Sequence, residues 1–476
     1  MRRRLQAVAC GLLAAVFAWS HAQEPRSGEP PPRRWTTLER LSAERLASAH
    51  ADVERLRAAV QPPPSLPGLN DYRGVFHAHA GDSAHTGGTP EELLRDARRI
   101  GVDVVFLSDH YRPPRDFMDG WRGLHDRVLF IPGSEAHGFL IHPEESVVEH
   151  MGADAGTLLR HVNRGAGMAF LSHVEERVDH PMDGLTGMEI YNRHADALDD
   201  GDSMQALVAW IVDPDQSKAL ARAVELYPEE VFGAQFDYPT VYLDKWDRET
   251  AHRRIVGVNA NDCHHNQVFV VIKVDDESVR VGTIVDDPDE MRVLTAADAP
   301  GIPELVRGHE RGAVIGRYDL DPYWVSMRNS TTHVLAPTLD EASIRAAVDA
   351  GHVYVAHDWL ADPTGFQFFV GEPEAPAAMM GDEWTLEAGA TAELTARFPL
   401  PATIRLIRNG EEIAVTEARS LTHRLDRPGV YRVEGWLGVD GELRTWIYSN
   451  PVYVKQAGNG LARIPPATSQ NAASTL

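Results

Sequence analysis

The run GVFHAHAGDSAHTGG, which begins at Gly74, places His77, His79 and His85 within nine residues. Alternate residues of a strand face the same way, so His77 and His79 can present two imidazoles to one cation. An H-x-H by itself is as readily a packing or surface feature. Four later apolar runs, however, end in the same kind of side chain. Asp109 and His110 follow VVFLS, Glu135 and His137 follow LFIPGS, His173 follows MAFLS, and Asp262 and His264 follow VGVNAN. Apolar runs normally give way to Gly, Ser or Asn, so repeated His, Asp and Glu read as a ligand set. Imidazole and carboxylate donors suit Zn²⁺, Mn²⁺ or Fe²⁺ and disfavour metals selected by thiolate.

Arginines follow one of these run ends and a further apolar run. Arg112 and Arg115 in DHYRPPRDF, and Arg193 with His194 after MEIYN, are candidates to grip a phosphate, which a guanidinium can do with paired hydrogen bonds. Asp109 is expected to orient a neighbouring ligand rather than to bind metal itself. Cys263, between two candidate ligands and pointing the opposite way in a strand, reads as a small packing residue. His265, His333 and His357 are expected to stay outside the ligand set. Trp436 and Trp446 read as core residues rather than a binding surface.

These side chains need a scaffold that brings strand ends together. RGVFHAHA, VDVVFLSDH, RVLFIPGSEAHGF, MAFLSHV, GMEIYN and RRIVGVNANDCH each contain a strand. TPEELLRDARRIG reads as a helix, with Thr89 as N-cap, Pro90 in the first turn, Glu92 closing a capping box and Gly101 as stop. AGTLLRHVNRGAG is also helical. Strands alternating with helices imply parallel pairing, in an α/β barrel or an open sheet. Functional residues of such barrels sit at the C-terminal strand ends, where these ligands lie. Residues 195–245 break the rhythm with polar and helical sequence and read as an inserted cap or long loop. Earlier, apolar residues between Trp35 and Val60 recur at helical spacing, and QPPPSLPG ends that helix. From about Phe366 short strands with turn signals take over. Asn409-Gly410 between two β-rich runs marks a hairpin, and the region is expected to be a β-sandwich.

The first residues, MRRRLQAVACGLLAAVFAWSHAQ, have the basic start, apolar stretch and small residues of a secretory signal peptide. The protein is therefore expected to be exported, periplasmic or extracellular. With 46 Lys and Arg against 70 Asp and Glu, and a formal net charge of −24, it should repel polyanions, which argues against nucleic acid as a partner. Only Cys263 follows the signal segment, so no intramolecular disulfide framework is expected.

Together the motifs resemble the polymerase and histidinol phosphatase (PHP) superfamily of metallohydrolases. His77-Ala78-His79, Ser108-Asp109-His110, Gly133-Ser134-Glu135 with His137, Ser172-His173 and Asp262-Cys263-His264 match its motifs in order, across about residues 70 to 270. THVLAP, AGHVYVAHDWLADPTGF and LRTWIYSNPVYV look like its exported, carbaryl-hydrolase-like branch. The resemblance implies a distorted seven-stranded (β/α) barrel holding two to three divalent ions (Zn, Mn or Fe). In it His77, His79, Glu135 and Asp262 hold one ion. Glu135, as a bridge, holds a second with His137 and His173, and His110 and His264 hold a third. The family's aspartate five residues after the H-x-H is replaced by Ala84 here, so Asp82 or His85 supplies that ligand, with His85 slightly preferred; His142 rivals His137.

The expected architecture is α/β. A signal peptide (1–22) and a linker with a helix (23–68) precede the metallohydrolase barrel with its inserted helical segment (69–280). A connector packed on the barrel (281–365), a β-sandwich (366–456) and a disordered tail (457–476) follow. The expected function is a metal-dependent phosphoesterase that uses a metal-bound hydroxide, with Glu135, Asp262 and His173 at the catalytic centre and a small-molecule ester or phosphoester as substrate. The alternatives are hydrolysis of a carboxylic or carbamic ester, and a catalytically degenerate barrel that serves as scaffold for a binding β-sandwich.

Overall fold

The computed structural model describes residue 31 and residues 33–193, 195–196 and 201–457. The expected signal peptide, His194 and nearly all of the 457–476 tail lie outside the described residues. Of the leading unit, Met1–Pro32, only residue 31 is described, and everything below concerns the unit from Arg33 onward. The architecture is mixed α/β, with a strand-rich C-terminal region.

Two groups of strands carry the run ends singled out above. Strand β1 (Asn70–Ala78) pairs in parallel with β2 (Val104–Leu107), and β2 in parallel with β3 (Val128–Ile131). In the second group β4 (Ser134–Ala136) and β5 (Phe139–His142) form a hairpin. Strand β5 pairs antiparallel with β6 (Met168–Leu171), which continues in parallel to β7 (Gly187–Asn192) and β8 (Val256–Ala260). The groups meet at two seams. At one, Glu135 N–H donates to Ser108 O at 2.9 Å. At the other, His79 N–H donates to Cys263 O at 3.1 Å and Cys263 N–H to His77 O at 3.3 Å. Parallel pairing therefore holds for β1–β2–β3 and β6–β7–β8, while β5 runs antiparallel. A two-residue turn at His137-Gly138, with φ of 55° and 82°, folds β5 straight back on β4 and leaves no room for a crossover helix.

Local signals explain much of this. The helix Pro90–Ile100 starts at Thr89 with a reciprocal capping box to Glu92 and stops at left-handed Gly101. The expected helix from Trp35 is two, Thr37–Arg40 and Ala43–Ala58, separated at Leu41-Ser42; the first is capped by Thr36 and Glu39. Residues 195–245 contribute the helices Gly201–Val212, Pro214–Leu226, Pro228–Phe232 and most of Thr240–Thr250. Asn409 and Gly410, at φ of 56° and 80°, turn the long hairpin of Ala392–Arg408 and Glu411–Leu425. Trp436 and Trp446 are buried core residues. Among the described residues no helix is long and apolar enough to cross a membrane.

The C-terminal strands continue the first sheet. Strand β1 pairs antiparallel with β9 (Thr331–Ala336), β9 with β10 (Val353–Ala356), and β10 with Glu442–Ser449. A buried charge cluster locks this junction. The ring of His333, fully buried on β9, bonds Asp71 at 2.7 Å through Nδ1 and Asp358 at 3.3 Å through Nε2. Arg73 binds Asp358 and, at 2.9 Å, Asp362. Burial opposes a charge on His333, but the Asp71 and Asp358 carboxylates outweigh it and raise the ring to about 10. That folded value lies above the ordinary 6.5, so the stabilisation is complete below pH 6.5 and disappears as pH rises through about 10. Thermal unfolding of wild type and His333→Gln across this range should therefore show a stability gap of about 3 kcal/mol at pH 6 that shrinks steadily by pH 10. A gap independent of pH would remove the charged imidazole from the account.

Candidate metal centre

The strand ends carry their ligands through local departures from regular strand geometry. Strands β1 and β2 slip register between Val75 and Ala78, and His77 adopts a left-handed φ of 58°. Simple alternation therefore does not aim the H-x-H; a bulge turns His77 inward beside His79. His173 and Asp262 are left-handed as well, at 46° and 47°. Each such residue costs about 1–2 kcal/mol of backbone strain, which its surroundings must offset.

Those surroundings fix one nitrogen of each ring. His77 Nδ1 lies 2.7 Å from Glu189 Oε1 and His79 Nδ1 3.1 Å from Asp82 Oδ2. His173 Nδ1 lies 3.3 Å from Glu175 Oε1, and His264 Nδ1 2.9 Å from the Asp262 carbonyl. An acceptor at Nδ1 holds a proton there, so that the neutral ring a cation requires has its lone pair at Nε2. The Nε2 atoms of His77, His79 and His264 are all buried without a hydrogen-bond partner. Those of His77 and His79 face two carboxylates. Glu135 Oε2 is 3.5 Å from His77 Nε2 and 4.0 Å from His79 Nε2, and Asp262 Oδ1 is 3.4 Å and 3.7 Å from the same atoms. His173 Nε2 lies 3.3 Å from Glu135 Oε1 and 3.6 Å from Asp262 Oδ2. His110 Nδ1 lies 3.7 Å from Glu135 Oε2, and the His264 ring stacks on His79 at 4.1 Å. Buried imidazole nitrogens without partners, converging on two carboxylates, fit one or more divalent cations bound by N and O donors.

The electrostatics of the cluster are divided. Burial disfavours charge on His77 and His173, but neighbouring carboxylates prevail and hold His77 well above its ordinary range and His173 at about 10. Burial and adjacent rings lower His79, and His264 falls to about 4. Burial would raise both carboxyls, yet the surrounding histidines bring Asp262 down to about 2 and Glu135 well below its usual range. A cavity of about 360 Å³ opens over Glu135, His173, Asp262 and His264, with His85 and His110 at its edge.

The structure thus brings together His77, His79, His110, Glu135, His173, Asp262 and His264. His85 joins them at the rim, its ring 5.2 Å from His110 and 5.0 Å from His264. Asp82 takes a supporting position: it accepts from His79, from His110 N–H at 2.7 Å and from Thr86 at 2.5 Å. Asp109 accepts the Ala80 N–H at 3.0 Å, and burial raises its carboxyl to about 7.

His137 is not brought into the cluster. It occupies the outward β4–β5 turn, is exposed, and meets the Met151 carbonyl at 3.4 Å. Its rival His142 is fully buried, with the rings of Phe106 and Phe76 at 5.2 Å and 6.2 Å, and belongs to no ligand group among the described residues. Arg112 and Arg115 are exposed on the loop after β2, and neither lines the cavity. Arg193 does, and it is only 6% exposed. Cys263 is buried in the β1–β8 seam, and burial pushes its thiol up. His265 pairs with Asp319 at 3.2 Å, while His357 is buried with Nδ1 on the Asn329 carbonyl.

Sequence reasoning passed over Glu189, which is fully buried and also accepts the His173 N–H at 2.9 Å. The available signal was a carboxylate in the middle of the otherwise apolar GMEIYN. Glu175, two residues after His173, was missed in the same way.

No family model matches the chain, and no curated protein matches it. Among solved structures, it is similar to a two-domain protein from Bacteroides vulgatus, described as containing a predicted PHP-like metal-dependent phosphoesterase. That chain is 14% identical, with 83% of this chain and 98% of that chain covered and a TM-score of 0.30.

Chelator-treated protein should gain thermal stability when Zn²⁺ or Mn²⁺ is added, by about 2.7 kcal/mol at a hundredfold excess over Kd. Glu189→Gln should weaken metal binding by about 10–100-fold in calorimetric titration. His137→Ala should leave metal binding unchanged, and a loss there equal to that of His77→Ala would contradict the ligand geometry.

Proposed function

We propose that the chain is an exported, metal-dependent hydrolase that cleaves phosphoesters. The observation that carries this reading is the convergence of buried, unpartnered Nε2 atoms and two carboxylates beneath an open cavity. The closed circuit of hydrogen bonds through the two seams supports reading β1–β8 as the distorted barrel that the PHP resemblance implies, with β4 continuing β3. His77, His79, Glu135 and Asp262 would hold one divalent ion. Glu135 and His173 would take a second, and His110, His264 and His85 a third. Such ions, when bound, acidify water from a pKa of about 15.7 toward 7 and draw charge from the ester oxygen.

The protein's own part is positioning. Glu189, Asp82 and Glu175 orient His77, His79 and His173. Arg193 presents a buried positive charge to the same cavity, where it balances the charge that develops on a phosphoryl group in the transition state. Water oxygen bonds to phosphorus, the ester P–O bond breaks, and the alcohol leaves with a proton. The set asks for no serine or cysteine nucleophile, and the raised thiol of Cys263 is unsuited to that role. The acidic chain makes nucleic acid a poor substrate.

Protein reconstituted separately with Zn²⁺, Mn²⁺ and Fe²⁺ should hydrolyse phosphomonoesters in a substrate panel. His77→Ala should lower kcat/KM by about a thousandfold or more, and Arg193→Ala by about a hundredfold with metal content unchanged. Arg112→Ala should stay near wild type. Turnover of aryl carboxylic or carbamic esters alone, indifferent to Arg193→Ala, would transfer the assignment to ester hydrolysis of that kind.

A further inference from the structure

The cavity over the metal centre adjoins a second, smaller one, and Arg193, Phe232 and Gln267 line both. The walls of the second cavity are mainly apolar: Leu41, Leu207, Leu220, Val231 and Leu320 contribute. Its volume is about 40 Å³, the space of about three water molecules. At the border Arg193 lies over the Phe232 ring at 4.5 Å and bonds Gln235 through one guanidinium nitrogen. Its Nε and Nη1 are buried with no hydrogen-bond partner among the described residues. A buried cation with two unpaired donors is costly, and an anion in the cavity relieves that cost through charge-assisted hydrogen bonds. A short apolar chain fits the space beyond, whose wall is leucine, valine and phenylalanine apart from Arg193, Thr37, Ser203, Gln235 and Gln267, with Thr37 already bonded to Arg33 and Gln235 to Arg193.

We propose that Arg193 and this leucine-lined cavity select the substrate class, a phosphomonoester of a short-chain apolar alcohol. The phosphoryl group is held between the metal centre and Arg193, and the alcohol's alkyl chain enters the smaller cavity. The helix at Thr37–Arg40, through Leu41, and the inserted helices, through Leu207 and Leu220, thereby act as specificity elements. The assignment rests on the phosphoesterase reading above.

Phosphonates test it without turnover, because they carry the anion and the chain but no ester bond. Zinc-loaded full-length protein should bind propylphosphonate about tenfold more tightly than the isosteric 2-hydroxyethylphosphonate in calorimetric titration. Leu320→Asn should abolish that preference, and Leu41→Asn serves the same purpose if the first variant fails to fold. Both leucines are half-buried wall residues outside the metal centre. Arg193→Gln should weaken both ligands more than tenfold and leave their ratio intact. Equal affinities in wild type, or a preference that survives the leucine substitutions, would overturn the proposal. The two esters, propyl phosphate and 2-hydroxyethyl phosphate, separate the failures. A binding preference with neither ester hydrolysed would sink the phosphoesterase reading alone. Equal binding with both esters hydrolysed would sink the selection alone.

Discussion

His77 Nδ1 sits 2.7 Å from the buried carboxylate of Glu189, and that contact decides which way the other ring nitrogen points. An imidazole free to flip or change tautomer offers a cation an uncertain donor. One whose Nδ1 hydrogen is held offers a fixed lone pair at Nε2. The same device recurs at His79 with Asp82, at His173 with Glu175 and at His264 with the Asp262 carbonyl. The acceptors come from different elements, so the ligand geometry depends on the two seams that bring β1, β2, β4, β7 and β8 to one place. The metal centre is therefore a property of the assembled strands rather than of any motif alone.

The arrangement carries opposing costs. Left-handed backbone at His77, His173 and Asp262 stores strain, and Glu135 and Asp262 place two carboxylates in a largely buried volume. Protonated His77 and His173 compensate the negative charge in the protein alone. His79 and His264, pushed down by burial and by the adjacent rings, do not. A bound cation satisfies every one of these groups at once, since it faces both carboxylates and needs the imidazoles neutral. Strain and like-charge crowding that fold stability alone does not require are characteristic of functional sites.

Much of the centre was legible because ligands at strand ends contradict what an apolar run wants at its close. His77, His79, His110, Glu135, His173, Asp262 and His264 were each conspicuous for that reason, and the structure gathers them. The capping box at Thr89 and the turn at Asn409-Gly410 were legible because the physics is local. His137 was misplaced because sequence proximity to Glu135 carries no information about a two-residue turn, whose left-handed residues reverse the chain and point the ring outward. Glu189 escaped notice because its partner lies 112 positions away on another strand. Strand β5 was not anticipated, because a hairpin needs only two residues and His137-Gly138 is not a strong turn signal. Arg193 was named as a rim candidate, but its burial and its place between two cavities follow from the inserted helices, which the sequence marks only as a break in rhythm.

The central claim is that the inward Nε2 atoms share one or more cations. Anomalous diffraction from crystals of zinc-loaded protein tests it most directly. The account predicts peaks about 2.0–2.2 Å from Nε2 of His77 and His79 and from carboxylate oxygens of Glu135 and Asp262, with none at His137. Fully loaded crystals with no anomalous peak between these side chains, or with the metal on surface groups instead, would contradict it.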